Sequence, residues 1–192
     1  MIFVYESDNW LVVDKPAGQL VIPGRGSHPV LKTTLEQSHG RLWVVHRLDL
    51  PVSGVLLFAR NAEAHRAASM AFERREVEKT YQALTGGQGR AATWSWPLRQ
   101  GKKRVYVHEA GRECVTEATP LRLEERGQLW SLKPRTGRRH QLRVHAMTAG
   151  HPIHGDALYG SEIAWQDGIA LRAVRLALDL PDLPSELCVD PL

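Results

Sequence analysis

Asp49 stands in a short polar connection within Val-Val-His-Arg-Leu-Asp-Leu-Pro-Val-Ser-Gly-Val-Leu-Leu-Phe, residues 44–58, with Arg47 and His46 beside it. A carboxylate held at a bend next to a cation stays ionised and can face a substrate, as a nucleophile or base must. The commoner fate of an aspartate beside Pro, Ser and Gly is to cap local amides, and spacing alone leaves both readings open. A second constellation gathers Arg135, Arg138, Arg139, His140, Arg143 and His145 on a stretch whose residues 138–149 read as a helix. A helix opening there would turn its free amides toward a phosphate, and Arg139 and Arg143 would share one face. Arg99, Lys102, Lys103 and Arg104 form a further basic run. A solvated charged surface accounts for such runs equally well. Tyr81 alternates with Lys79 along an extended segment and offers either a stacking ring for a nucleobase or a half-buried core tyrosine.

Other residue types point away from chemistry. His140, His145, His151 and His154 lack a His-Glu-x-x-His pattern or a paired Cys or Glu at ligand spacing, so no metal is expected. Gly24-Arg25-Gly26 lacks the strand–helix context of a nucleotide-binding loop and reads as a flexible loop. The six tryptophans are scattered and read as packing residues.

The elements that must position these side chains follow from periodicity. Residues 2–5 and 11–13 form a strand pair across Ser7-Asp8-Asn9, and Asp14-Lys15-Pro16-Ala17-Gly18 breaks that pattern. Residues 30–38 suit a short helix, and Asn61 caps a second over 62–75. Residues 77–83 alternate with period two, and strand-like pieces recur at 105–108, 114–123, 129–133 and 170–178. Gly150 and Pro152 stop the basic helix. Many strands and few helices in no regular alternation predict an α+β fold with a mixed, mostly antiparallel sheet and flanking helices.

Composition bounds the rest. The 192 residues suffice for one substantial core, 43% are hydrophobic and 24% charged, and the net charge is +4. That mild basicity favours a polyanionic partner. Two distant cysteines argue against a disulfide framework, and neither a leader pattern nor a membrane-length apolar run is present. A cytoplasmic protein is expected.

Taken together, the segments resemble the RluA family of pseudouridine synthases. Asp14-Lys15-Pro16-Ala17-Gly18 is similar to that family's first motif, and His46-Arg47-Leu48-Asp49 with Ser53-Gly54 to its signature around the catalytic aspartate. Glu78-Lys79-Thr80-Tyr81-Gln82-Ala83 is similar to the strand bearing its active-site tyrosine. Gly137-Arg138-Arg139-His140-Gln141-Leu142-Arg143-Val144-His145, followed by Gly150-His151-Pro152-Ile153 and by Gly155-Asp156 through Tyr159-Gly160, is similar to its third motif. The segments keep family order over residues 11–160.

The resemblance implies a single pseudouridine synthase catalytic domain over 1–192, with a central active-site cleft and no separate N-terminal RNA-binding module. It implies a cofactor-free isomerase, expected to be a monomer, that converts uridine to pseudouridine in structured tRNA or rRNA. Asp49 would then be nucleophile or base, Arg143 would pair with it, and Tyr81 would pack against the target base and help remove its carbon-5 proton. Arg47 would fill the space that the extruded nucleotide leaves, and Arg138, Arg139, His140, Lys102, Lys103 and Arg104 would hold the RNA. Val52 stands where the family usually has Thr, Leu50-Pro51 stiffens the loop, and Arg172 stands where His is common.

Overall fold

The computed structural model describes residues 2–24 and 26–192. Arg25, in the stretch read as a flexible loop, lies outside the described residues. In chain order the elements are β1 (Ile2–Glu6), β2 (Trp10–Lys15), α1 (Leu31–His39), β3 (Trp43–Val44), β4 (Ser53–Ala59) and α2 (Ala62–Glu73). There follow β5 (Glu78–Thr85), β6 (Ala92–Trp94), β7 (Leu98–Gln100), β8 (Val105–Val107), β9 (Thr116–Glu124) and β10 (Gly127–Pro134). The chain ends with α3 (Gln141–Thr148), a 3-10 turn at Ala157–Tyr159, β11 (Leu171–Ala177) and β12 (Glu186–Cys188). The fold is α+β and mostly antiparallel, as the mixture of strands and few helices predicts. No helix among the described residues is long and apolar enough to cross a membrane.

Two compact units emerge from the contacts, one built from residues up to Glu78 with Ala173–Pro191, the other from Lys79–Arg172. In the first, strands run β1-β2-β4-β11, with β3 pairing to β4 and β12 to β11. Leu11, Val12 and Val13 on β2 and Leu56, Leu57 and Phe58 on β4 are all fully buried, so both faces of these strands are covered. That explains their unbroken apolar runs. Asn61 caps α2 as the sequence predicts, its side chain accepting the Ala64 amide at 2.9 Å. Ala64, Ala68 and Ala71 form the buried face of α2, and small side chains there allow a close approach to the sheet.

In the second unit the order is β5-β10-β9-β6, all antiparallel, and β7 and β8 form a separate hairpin. Leu98, Cys114, Val105, Val144 and Tyr159 make a small core that joins this hairpin to α3. The short strands β6, β7 and β12 have too few residues for a periodicity to register in the sequence.

The basic helix differs from its expectation. It starts at Gln141 rather than Arg138, because His140 takes a left-handed conformation with φ 55°. The buried Gln141 side chain also turns back: its Oε1 accepts the Arg138 amide at 3.1 Å and the Thr136 hydroxyl at 2.7 Å. Arg138 and Arg139 therefore belong to the preceding turn, and Arg139 does not share a helix face with Arg143.

Two imidazoles are fully buried, His145 in α3 and His154 after it. Neither ring nitrogen of His154 has a hydrogen-bond partner among the described residues. Burial pushes both pKa values down; the nearby Arg126 adds to this at His154, whereas a bond to the Trp96 carbonyl opposes it at His145. With folded-state pKa values below the ordinary value of about 6.5, the unfolded chain binds more protons as pH falls through that value. Stability should consequently decline from pH 7.5 to 5.5 in thermal melts. His154→Leu, which removes the unpartnered ring, should flatten that decline; a decline as steep as in the wild type would refute the assignment.

Candidate active site

The Asp49 connection is held by main-chain bonds. The Val52 amide donates to the Asp49 carbonyl at 3.1 Å, closing a turn, and the Gly18 amide donates to the Leu50 carbonyl at 2.9 Å. Val52 is 3% exposed and Leu48 7%, so their side chains anchor the turn in the core while Asp49 stays half-buried. Burial of an apolar side chain thus gives Val52 a role where a threonine hydroxyl was expected. The His46 Nε2 accepts the Leu57 amide at 3.1 Å, and its ring stacks on Phe72 at 5.3 Å. His46 is therefore a structural brace between β4 and α2, whereas Arg47 is exposed. Gly54 has φ 120°, and a Cβ there would lie 2.2 Å from the Ala173 carbonyl oxygen, so no side chain fits between β4 and β11.

From the sequence Lys15 has a place in the first motif but no role, and the structure supplies one. Pairing of β2 with β4 sets Lys15 opposite Gly54. Its ammonium is fully buried and donates to the carbonyls of Pro16 at 2.8 Å, Gln19 at 2.9 Å and Leu50 at 3.4 Å. The amine thereby ties the first-motif loop to the residue after Asp49. Burial pulls its pKa down to about 8, and the Asp49 carboxylate acts in the opposite direction. Above that pH the folded protein loses a cation that interacts with the Asp49 carboxylate. The pH profile of kcat/KM should then show an alkaline limb near pH 8. Lys15→Arg, whose guanidinium stays charged, should move that limb upward; a wild-type profile flat to pH 9.5 would contradict this role.

Tyr81 lies half-buried on β5 opposite Leu132 of β10. Two residues away, Lys79 is half-buried too, and burial lowers its pKa. Arg143 is 5% exposed and forms a two-point ion pair with Asp156, Nε to Oδ2 at 2.6 Å and Nη2 to Oδ1 at 2.8 Å. Its guanidinium lies 4.9 Å over the Tyr159 ring. The Tyr159 hydroxyl accepts the Val105 amide at 3.0 Å and shares a 2.7 Å hydrogen bond with His140 Nδ1. His140 is thus half-buried in this network, whereas Arg138, Arg139, Lys102, Lys103 and Arg104 are exposed. Asp156 stands in the third-motif stretch without a role assigned from the sequence, because a carboxylate thirteen residues beyond Arg143 shows no helical or strand spacing to it. Asp49 belongs to the first unit, and Tyr81 and Arg143 to the second.

Comparison with known proteins settles the family. The profile described as RNA pseudouridylate synthase matches residues 9–148, a span that includes Lys15, Asp49, Tyr81 and Arg143. The chain belongs to this family. As an RNA pseudouridine synthase it is an isomerase, and its substrate partner is RNA. The dual-specificity RNA pseudouridine synthase RluA of Vibrio vulnificus (strain CMCP6) is 32% identical over 193 residues, covering 93% of this chain and 77% of the relative. The protein of the same description from Escherichia coli (strain K12) is 35% identical over 172 residues, covering 84% and 78%. Among solved structures, human RNA Pseudouridylate Synthase Domain Containing 1 superposes with a TM-score of 0.84 at 28% identity, covering 98% of this chain and 82% of that one. The synthase fold expected from the motifs is thereby established.

Proposed function

We propose that this synthase isomerises specific uridines in structured tRNA or rRNA, with Asp49 as the essential acidic residue. The observation that carries this reading is the Asp49 turn. Main-chain bonds and the buried Leu48 and Val52 fix its backbone, while Asp49 itself stays half-buried within the family's signature segment. Both RNA classes are proposed because the curated relatives are named dual-specificity enzymes.

Uridine and pseudouridine are isomers, so the reaction balances without an oxidant, a reductant or added water. The bond from the ribose anomeric carbon to N1 breaks, the base turns, its carbon 5 bonds to the anomeric carbon, and the carbon-5 proton leaves while N1 takes up a proton, so none is gained or lost overall. Asp49 acts either by attack on the anomeric carbon or by removing the ribose 2′ proton. Tyr81 lies against the base and assists removal of the carbon-5 proton. Arg143, oriented by Asp156, supplies positive charge. The target nucleotide leaves its stack at a cost of a few kcal/mol, and Arg47, exposed on the Asp49 connection, fills the vacated space. Arg138, Arg139, Lys102, Lys103 and Arg104 contact phosphates, with His140 beside them. We place the protein in the cytoplasm as a monomer.

The test is release of tritium from RNA carrying 5-tritiated uridine, with nucleoside analysis of the product. Release with pseudouridine in the digest is expected. No release from a broad cellular RNA pool by folded protein would refute the reading, and free uracil would make the chain a glycosidase.

A further inference from the structure

The two basic runs of the sequence meet at one place in the second unit. The β7–β8 hairpin, the segment 110–112 and the turn 137–139 enclose a pocket of about 460 Å³. Arg99, Arg112, Arg138 and Arg139 line it, with Leu98 and Val105 also in its wall. Leu98 and Val105 are 4% and 3% exposed and belong to the small core beneath, so this part of the wall is apolar and fixed. Leu98 and Arg112 exchange two main-chain hydrogen bonds, at 2.9 and 2.8 Å. A Cβ on Gly111 would come 2.7 Å from both the His108 carbonyl oxygen and the Leu98 carbonyl carbon, so only glycine lets these segments close. None of Asp49, Tyr81 or Arg143 lines this pocket.

Charge is the unusual feature. All four arginines are exposed, and among the described residues none of them forms an ion pair with a carboxylate. The Arg138 Nε donates only to the Glu113 carbonyl, at 3.5 Å. Lys102, Lys103 and Arg104, in the turn of the same hairpin, extend the positive surface outward. Like charges gathered without counter-ions repel one another, and a polyanion relieves that cost. Guanidinium groups in particular bind phosphate through paired hydrogen bonds and stack on base planes. The volume falls in the range of roughly 300–1,000 Å³ typical of small-molecule sites, well beyond what an inorganic anion fills.

We propose that this pocket holds an unstacked nucleotide of the RNA, other than the uridine being isomerised. The base lies on the Leu98 and Val105 side, and Arg99, Arg112, Arg138 and Arg139 grip its flanking phosphates. The proposal rests on RNA being the substrate. It makes the pocket a second reading head, so that a nucleotide at a set distance from the target contributes to the choice of site.

Titration with uridine 5′-monophosphate, followed by amide resonances, tests the pocket directly. The Gly111, Arg112 and Gly137 signals should shift, and the shifts should vanish in Arg99→Ala/Arg112→Ala. Inorganic phosphate should shift them far less; equal shifts at equal concentration would overturn the nucleotide assignment, as would no shift with the nucleotide. For a tRNA pool at 0.15 M salt, the double variant should bind at least about tenfold more weakly. Its log affinity against log salt should flatten by about 1.4, for two lost contacts at roughly 0.7 each. Arg122→Ala, a surface arginine paired with Glu124 on β9, serves as the control and should bind within twofold of wild type. A double variant as tight and as salt-sensitive as wild type would refute the pocket's role. Absence of tritium release by wild type would refute the isomerase reading alone, because the nucleotide titration decides the pocket by itself.

Discussion

Tritium release should fall by at least about 10⁴-fold in Asp49→Ala, while RNA affinity stays within a few-fold of wild type. The size follows from the role: loss of a residue that bonds to or deprotonates the substrate removes most of the chemical acceleration, and such losses reach roughly 10⁶-fold in other enzymes. The fold should survive, because the turn is closed through the Asp49 carbonyl, which the substitution keeps. Leu48 and Val52 keep their burial, and Lys15 keeps its three carbonyl partners. With the carboxylate gone, its opposition to burial at Lys15 is lost, and the pKa of the amine should drop further. Asp49→Glu should also be severely impaired, because a shift of about 1 Å in a reacting group costs on the order of 100-fold. Release unchanged in Asp49→Ala would remove this residue from the mechanism.

Asp156→Ala should lower stability by roughly 3–5 kcal/mol, since it leaves the buried Arg143 guanidinium without the carboxylate that holds two of its nitrogens. For a chain of this length, that corresponds to a fall in melting temperature on the order of 10 °C. Urea unfolding of the single and double variants measures it. Asp156→Leu combined with Arg143→Met removes both charges together and should recover most of the loss, because a buried ion pair is often replaceable by apolar groups. Tritium release should stay low in the repacked double variant. Full activity there would show that Arg143 serves the fold alone, and an undiminished melting temperature in Asp156→Ala would refute the role assigned to the pair.

Where local rules governed, the sequence was legible. The Asn61 cap, the antiparallel β1–β2 pair and the connection bearing Asp49 all follow from short-range turn chemistry and apolar runs, and each is found as expected. The basic helix shows where local reading fails. Nothing in Arg138-Arg139-His140-Gln141 forbids a helical turn. The start moved to Gln141 because that side chain also reaches the Val115 carbonyl at 2.9 Å and the Thr116 hydroxyl at 3.0 Å, partners some 25 residues away in sequence. A long-range bond decided a boundary that propensity left open.

The sequence by itself determined the chemistry to be looked for: one acid at a stiff bend, a tyrosine on an alternating strand, an arginine in a basic segment, and four motifs in family order. Only the tertiary structure decided who supports them. Lys15 has only a motif position until three carbonyls close around its ammonium, and burial of a charge is tolerable only with such partners. Asp156 pairs with Arg143 from thirteen residues away, and Arg99 and Arg112 join Arg138 and Arg139 at one pocket. Spacing along a chain encodes which side chains share a helix face or a strand face. It does not encode which loops meet, because loop meetings depend on how the sheets and their connections fold back, and that is a property of the whole packed chain.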